Sequence, residues 1–143
     1  MNIGTLIETR GDTPIIAIAA DRTVRDAIQL LAEERIGAVP VMESGRIAGI
    51  FSERDVIYCL AEEGQTCLDR AVGEVMTSPA ITVTREASVD QALALITRRR
   101  IRHLPVVDGP TMRGFVSIGD LVKSRMDEVK HEADAMRTYI ANA

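Results

Sequence analysis

The chain carries one stretch of sequence twice. Residues 13–57 align without a gap on residues 78–122, and most non-identical positions exchange one apolar side chain for another. Each copy is shorter than the roughly 70 to 80 residues at which a lone hydrophobic core becomes comfortable. We therefore expect the copies to pack on each other about a pseudo-two-fold axis, with two related clefts between them. Identical pairs include Pro14 and Pro79, Pro40 and Pro105, Gly49 and Gly114, Ser52 and Ser117, and Asp55 and Asp120.

The pattern within each copy predicts the order strand, helix, strand, strand, helix. Short apolar strands are expected over residues 15–19 and 80–84. Thr23 and Ser88 then precede apolar residues at helical spacing, with an acceptor side chain three positions after each hydroxyl. A hairpin and a second helix, opening at Ser52 or Ser117, complete each unit. The predicted fold is α/β: two tandem β-α-β-β-α units, over 1–66 and 67–124, and a C-terminal helical tail over 125–143.

Composition removes several functional classes. The net charge is -4, aromatic residues make up 3% of the chain and there is no Trp, so a basic, stacking nucleic-acid surface is not expected. The longest apolar run, Ile15 to Ala20, is far shorter than the roughly 20 residues of a membrane span. No secretory signal is recognised, and we expect a cytoplasmic protein without membrane contact. Cys59 and Cys67 lack zinc-ligand spacing, which favours free thiols.

A motif of glycine, hydroxyl and carboxylate recurs at 49–55 and 114–120, at the junction of a strand and a helix. A helix N-terminus favours a phosphate group, to which Ser52 or Ser117 could donate a hydrogen bond. Asp55 or Asp120, one turn later, could accept hydrogen bonds from ribose hydroxyls. The glycine would let a ligand approach the backbone. Ser-x-x-Asp is also an ordinary helix cap, but its presence in both copies favours ligand binding.

With Ile-Gly-Ala-Val-Pro-Val at 36–41, Ile-Arg-His-Leu-Pro-Val at 101–106, Ser-Glu-Arg-Asp at 52–55 and Ser-Ile-Gly-Asp at 117–120, the chain resembles a bacterial stand-alone pair of cystathionine-beta-synthase (CBS) domains. The resemblance implies an adenine nucleotide in the inter-repeat clefts, and less often a nicotinamide dinucleotide or S-adenosylmethionine. It implies these ligand-binding positions: Pro14, Ile15, Ile16, Gly37, Ala38, Val39, Pro40, Ser52, Arg54 and Asp55 in the first copy, and Thr77, Pro79, Ala80, Ile81, Arg102, His103, Leu104, Pro105, Ser117 and Asp120 in the second.

The copies differ in charge. Gly37 and Ala38 of the first correspond to Arg102 and His103 of the second. We expect this pair to place positive charge at the phosphate end of the Ser117 and Asp120 site, so that the two sites differ in affinity. Arg54 is a candidate cation for the first site, whereas 98–100, three arginines, are interpreted as a solvated helix face.

The last helix carries an apolar stripe at alternating steps of four and three residues. Because such a stripe must be covered, we expect a homodimer formed through the module helices and the C-terminal helix. The stripe comprises Val122, Met126, Val129, Ala133, Met136 and Ile140.

The function favoured by these observations is a non-catalytic regulatory module that senses energy or redox state for another, unidentified protein. AMP is the favoured ligand, and the sequence does not separate it from ADP, ATP or NAD(H). One alternative is a structural homodimerisation protein without a ligand. The other is an enzyme acting on the nucleotide, which has the least support because there is no Walker loop, metal-ligand cluster or nucleophile with its base.

Overall fold

The computed structural model describes residues 1–11 and 13–142. It is a mixed α/β structure with two copies of the predicted unit, so the expected fold class is confirmed. The elements are α1 (Ile3–Thr9), β1 (Ile18–Ala19), α2 (Val24–Glu34), β2 (Ala38–Glu43), β3 (Arg46–Ser52), α3 (Glu53–Glu63), a 3-10 helix (Gly64–Asp69), α4 (Val72–Val75), α5 (Val89–Arg99), β4 (His103–Asp108), β5 (Thr111–Ser117) and α6 (Ile118–Ala141).

The helices α2 and α5 begin where their caps predict. Thr23 Oγ1 accepts the amide of Asp26 at 3.1 Å at the start of α2. At α5, Ser88 and Gln91 each accept the other's backbone N–H, at 3.0 and 2.8 Å. The face of each helix with apolar residues at helical spacing is buried. The helical pattern of the sequence therefore describes both helices well.

The sheets are smaller than the sequence suggests. β1 pairs in parallel with β2, and β2 pairs antiparallel with β3. In the second copy β4 and β5 form a hairpin, and the strand expected over 80–84 is reduced to one bridge between Val83 and Val106. The strand expected over 15–19 is likewise only Ile18–Ala19. The strand expected over 80–84 shortens because residues 79–81 line a cleft instead of pairing with a neighbouring strand.

Each copy has its own core, completed by a segment from outside the repeat. Ile3 and Leu6 of α1 belong to the second copy's core, and the Ile3 amide donates to Ala87 O at 2.8 Å. Cys67 of the 3-10 helix and Val72 of α4 belong to the first copy's core. Neither α1 nor the helical structure of the 61–78 connection was predicted. The first helix of the chain therefore packs with the second repeat.

The two thiols lie together in the first core. Cys59 and Cys67 are both free and buried. Burial and, to a smaller extent, the neighbouring Cys67 and Glu63 together raise the pKa of Cys59 to about 12. Cys59 is therefore protonated, and its thiolate is not available at neutral pH.

The predicted C-terminal helix is present, as the continuation of the second helix of the second copy. α6 runs without a break for 24 residues, from the strand of the second copy to Ala141. Leu121 in its first turns is buried, whereas Val122, Met126, Val129, Met136 and Ile140 are exposed in the single chain. No helix in the described part of the chain is both long and apolar enough to cross a membrane.

Candidate functional site

The first cleft is a cavity of about 300 Å³ between the two copies. This is the lower end of the range for small-molecule sites. Its walls include the N-terminal turns of α3, the segment 77–81 before α5, and the start of β4. It is lined by Gly37, Ala38, Ile50, Ser52, Glu53, Arg54, Asp55, Tyr58, Thr77, Pro79, Ala80, Ile81, Arg100, Ile101, Arg102 and His103.

Asp55 is held rigidly at one wall of this cleft. It is only 9% exposed. One carboxylate oxygen, Oδ2, accepts the amide of Ser52 at 2.9 Å and its hydroxyl at 3.2 Å. The other, Oδ1, accepts the hydroxyl of Thr77 at 2.9 Å. The helix cap and the candidate ligand carboxylate are thus the same group, and its orientation is set before any ligand arrives.

The glycine of the motif has a different role from the one expected. A Cβ on Gly49 would lie 2.5 Å from the carbonyl oxygen of Thr77. The Thr77 backbone forms two hydrogen bonds with Ile50, both at 2.9 Å. Gly49 therefore admits the backbone of the connecting segment, not a ligand, because its place is already filled. Gly114 likewise faces Ile7 of α1, at 3.0 Å from an added Cβ.

Positive charge in the first cleft comes from arginines. Arg54, Arg100 and Arg102 line the cavity, and no ion pair within residues 1–11 and 13–142 includes them. Arg100 was expected on a solvated helix face, but it caps α5 in a left-handed conformation (φ 55°) and so turns to the cleft. Two carboxylates, Glu53 and Asp55, share the wall.

His103 does not supply the positive charge expected of it. Burial lowers its pKa below the usual 6.5, and Arg102 acts in the same direction, while Asp120 and Glu53 oppose the shift. The imidazole stacks on Phe115, with ring centroids 5.4 Å apart. At neutral pH His103 is therefore an uncharged hydrogen-bonding group.

The region around Ser117 and Asp120, where the second cleft is predicted, has the equivalent motif but a different neighbour. Asp120 Oδ2 accepts the amide and hydroxyl of Ser117, at 2.8 and 2.9 Å. The same oxygen forms an ion pair with Arg10. Burial alone would raise the pKa of Asp120, but the hydrogen bonds from Ser117 and Arg10 lower it below its usual value. Asp120 is therefore already paired with a cation from the same chain.

The candidate residues of the two copies are not separated in space. Arg102 and His103, assigned to the Ser117 and Asp120 site, also line the cleft that contains Asp55, while the Arg102 carbonyl accepts the amide of Ile118 at 2.8 Å. The reason is tertiary: β3 packs against β5, which brings the start of β4 to the N-terminus of α3. The first cleft thus combines the carboxylate of one copy with cations of the other.

A sequence model of the CBS domain matches residues 10–62 and 72–127. The chain belongs to the CBS-domain family. The resemblance deduced from the repeat motifs is confirmed, and the two matched segments correspond to the two copies.

Individual relatives agree with this assignment. The mitochondrial CBS domain-containing protein CBSX3 of Arabidopsis thaliana is 38% identical over 125 residues, which are 84% of this chain and 61% of the plant protein. The chain therefore spans less than two thirds of that relative. A putative signal-transduction protein with CBS domains from Burkholderia ambifaria superposes with a TM-score of 0.82 at 36% identity, over 89% of this chain and 95% of that one.

A more distant structure carries a ligand. CBSX2 in complex with AMP superposes with a TM-score of 0.74 at 24% identity, over 88% of this chain and 96% of that one. At this identity the similarity concerns the fold.

The first cleft brings together about half of the predicted ligand-binding residues. Gly37, Ala38, Ser52, Arg54 and Asp55 meet Thr77, Pro79–Ile81, Arg102 and His103. Val39 and Leu104 are instead fully buried in the two cores, and Pro40 and Pro105 are buried beside them, because the first strand of each hairpin is covered on both faces. Lying outside this cavity are Pro14, Ile15, Ile16, Val39, Pro40, Leu104, Pro105, Ser117 and Asp120.

Sequence reasoning missed several residues of the cleft. Tyr58 follows Asp55 by three positions and so lies on the same helix face, a spacing that could have identified it. Ile50 is part of the repeated motif itself. Glu53 and Ile101 gave no signal, because their contribution depends on how the copies pack. Within the described ranges 1–11 and 13–142, no three His, Cys, Asp or Glu side chains form a group that could hold a metal ion.

Proposed function

We propose that this CBS-domain pair is a non-catalytic regulatory module that binds an adenine nucleotide, with AMP as the first candidate, in the first cleft. The observation that carries the proposal is the composition of that cleft: an oriented, nearly buried carboxylate and three arginines around one cavity of about 300 Å³. A ligand with vicinal hydroxyls at one end and an anion at the other matches these groups.

The ribose would bind at Asp55. A carboxylate oxygen retains room for a further hydrogen bond when it has accepted one, and vicinal hydroxyls are good donors to it. Oδ1 accepts only from Thr77 among the described hydrogen bonds, and is the better acceptor of the two. Because Ser52 and Thr77 already orient the group, little entropy is lost when the ribose binds.

The phosphate would bind between the N-terminus of α3 and the arginines. The helix end contributes a partial positive charge, and Arg54 lies in its first turn. Arg100 and Arg102 face it from the second copy. Charge-assisted hydrogen bonds of guanidinium to phosphate are among the strongest in proteins. His103, uncharged at neutral pH, would donate or accept one hydrogen bond.

The base would bind among Ile50, Pro79, Ala80 and Ile81, which line the same cavity. Apolar side chains and backbone groups accommodate an adenine ring and leave its polar edge to backbone partners. The complex of CBSX2 with AMP supports this choice of ligand class only at the level of the fold.

A titration with AMP tests the proposal. A ligand at about a hundred times its dissociation constant should stabilise the fold by roughly 2.7 kcal/mol, which raises the melting temperature by about 5 to 10 °C for a chain of this size. Adenosine should give a much smaller shift. No shift with AMP, ADP, ATP or NAD(H) would favour the structural alternative, and conversion of a bound nucleotide during long incubation would favour the enzyme.

A second copy of the chain is the proposed cover for the exposed apolar stripe of α6. Ile57 and Tyr58 of α3 are also exposed, at 63% and 66%. Tyr58 lines the cleft as well, so an interface on this helix would be in contact with the nucleotide site. We further propose that the module regulates another, unidentified protein and that it is located in the cytoplasm.

Charge placed in the stripe tests the dimer. Val129→Asp together with Met136→Asp should convert a dimer to a monomer in light scattering, because buried unpaired charge costs several kcal/mol. Lys130→Asp, on the same helix but outside the stripe, is the control. An unchanged mass in the double variant would show that the stripe is not an interface.

A further inference from the structure

Arg10 is carried to the second cleft by α1. The Ile3 amide donates to Ala87 O at 2.8 Å and the Gly4 amide to Arg85 O at 2.9 Å. Ile7 fills the space beside Gly114. These contacts fix α1 on the second copy, and the helix ends at Thr9. Its next residue, Arg10, is therefore directed at β5 and the start of α6.

The Arg10 side chain makes two contacts there. One guanidinium nitrogen, Nη1, donates to the carbonyl oxygen of Phe115 at 3.0 Å. The other, Nη2, pairs with Asp120 Oδ2. Asp120 is the counterpart of Asp55, the proposed ribose acceptor. Its Oδ2 is the oxygen that also accepts from Ser117. The guanidinium thus pairs with the carboxylate that would hold the ribose of a second ligand and competes with its hydroxyls.

At the equivalent place in the first cleft, the ion pairs formed within residues 1–11 and 13–142 do not include Asp55. The residue 65 positions after Arg10 is Val75, the last residue of α4. The partner of Asp55 is the neutral hydroxyl of Thr77. A hydroxyl leaves the carboxylate its charge and a free lone pair, whereas a guanidinium neutralises it and occupies the adjacent space.

We infer that Arg10 confines the nucleotide to the first cleft by occupying the ribose carboxylate of the second. The inference rests on the proposed function of the first cleft. The side chains of Arg10 and Asp120 are 35% and 37% exposed, so water screens their attraction and the pair is breakable. Arg10 therefore lowers the affinity of the second cleft without abolishing binding there.

The sign of the expected effect separates this role from general electrostatics. If Arg10 only adds positive charge, Arg10→Ala should weaken the binding of an anionic nucleotide everywhere. If Arg10 occupies the second cleft, Arg10→Ala should strengthen binding there. The two roles predict opposite results from one variant.

The experiment measures AMP binding by isothermal titration calorimetry. At low AMP concentrations the wild-type chain should bind one AMP molecule. In Arg10→Ala a second site should become measurable, with an affinity for AMP at least about fivefold higher than the same site has in the wild-type chain. In Asp55→Asn, where the first cleft is weakened, the additional Arg10→Ala change should restore binding by a similar factor. Arg113→Ala, an exposed arginine on β5, is the matched control for loss of charge.

Each outcome bears on one claim. Unchanged stoichiometry in Arg10→Ala, and no gain in the Asp55→Asn background, would overturn the role of Arg10 while the first cleft still binds AMP. A loss of affinity equal to that in Arg113→Ala would assign Arg10 to general electrostatics. Failure of the wild-type chain to bind any adenylate would overturn the proposed function itself. NMR titration of Asp120 should show its pKa rising in Arg10→Ala, and an unchanged value would show that the two side chains do not pair in solution.

Discussion

Asp55 and Asp120 occupy equivalent positions in two copies of one motif, and each caps its helix through the preceding serine. A neutral hydroxyl, that of Thr77, faces the first carboxylate, and a guanidinium, that of Arg10, faces the second. The cations of the second copy also reach the first cleft. The comparison teaches that a repeated motif sets the local geometry, while its neighbours from elsewhere in the chain set its chemistry.

The largest expected difference between the copies concerns their glycines. Gly49→Ala would place a Cβ 2.5 Å from the backbone oxygen of Thr77, whereas Gly114→Ala would place one 3.0 Å from the Cγ2 methyl of Ile7. Backbone held by two hydrogen bonds cannot move as a side chain can. We expect Gly49→Ala to destabilise the fold by about 3 kcal/mol and Gly114→Ala by about 1 kcal/mol.

Urea unfolding of both variants measures this difference. The slope of the transition should stay constant, which shows that stability and not compactness has changed. Equal losses in the two variants would mean that the Thr77 segment relaxes as easily as Ile7.

Substitution of the two carboxylates should have clearly different effects on AMP affinity. Asp55→Asn removes a charged acceptor from the proposed ribose site and should lower AMP affinity by about tenfold to a hundredfold. Asp120→Asn should change the affinity of the first cleft by about twofold or less, because Asp120 is engaged by Arg10. Calorimetric titration of both variants with AMP measures this difference. A larger loss in Asp120→Asn would mean that the second cleft is the main site, as the charge pattern of the sequence alone predicts.

The phosphate contact should be measurable as a gap in affinity between AMP and adenosine. Adenosine lacks the phosphate and should bind about tenfold or more weakly than AMP. Arg102→Ala should narrow this gap, chiefly through weaker AMP binding. Arg98→Ala, on the exposed face of α5, should leave the gap as it is. Adenosine binding as tightly as AMP in the wild-type chain would remove the phosphate role from Arg102.

The smallest expected effect concerns pH. The pKa of His103 is lowered by burial in the folded chain, so the unfolded chain takes up a proton more readily as the pH falls through about 6.5. The free energy of unfolding should therefore be greatest above this pH and should decrease between pH 7.5 and pH 5.5. His103→Gln should flatten this decrease, and His131→Gln, on the exposed face of α6, should not. Identical pH profiles for wild-type and His103→Gln would show that the imidazole is not desolvated.

Much of the fold follows from local pattern. The repeat, the caps at Thr23 and Ser88, and the turn-centred hairpins are determined by residues close in sequence, so the helix and hairpin order of each copy can be predicted without coordinates. The cap interpretation and the ligand interpretation of Ser-x-x-Asp also prove compatible, because one carboxylate oxygen caps the helix and the other faces Thr77.

What local pattern leaves open is which segments meet across the pseudo-two-fold axis. The repeat determined the motif, the carboxylates and the presence of arginines near the start of β4. The packing of β3 on β5 decided that Arg102 and His103 line the cleft of Asp55. The docking of α1 decided that Arg10 meets Asp120 across more than a hundred residues of chain. The physical reason is that helix caps and hairpins arise from contacts a few residues apart, whereas charge pairing and burial depend on which distant surfaces the whole core brings together.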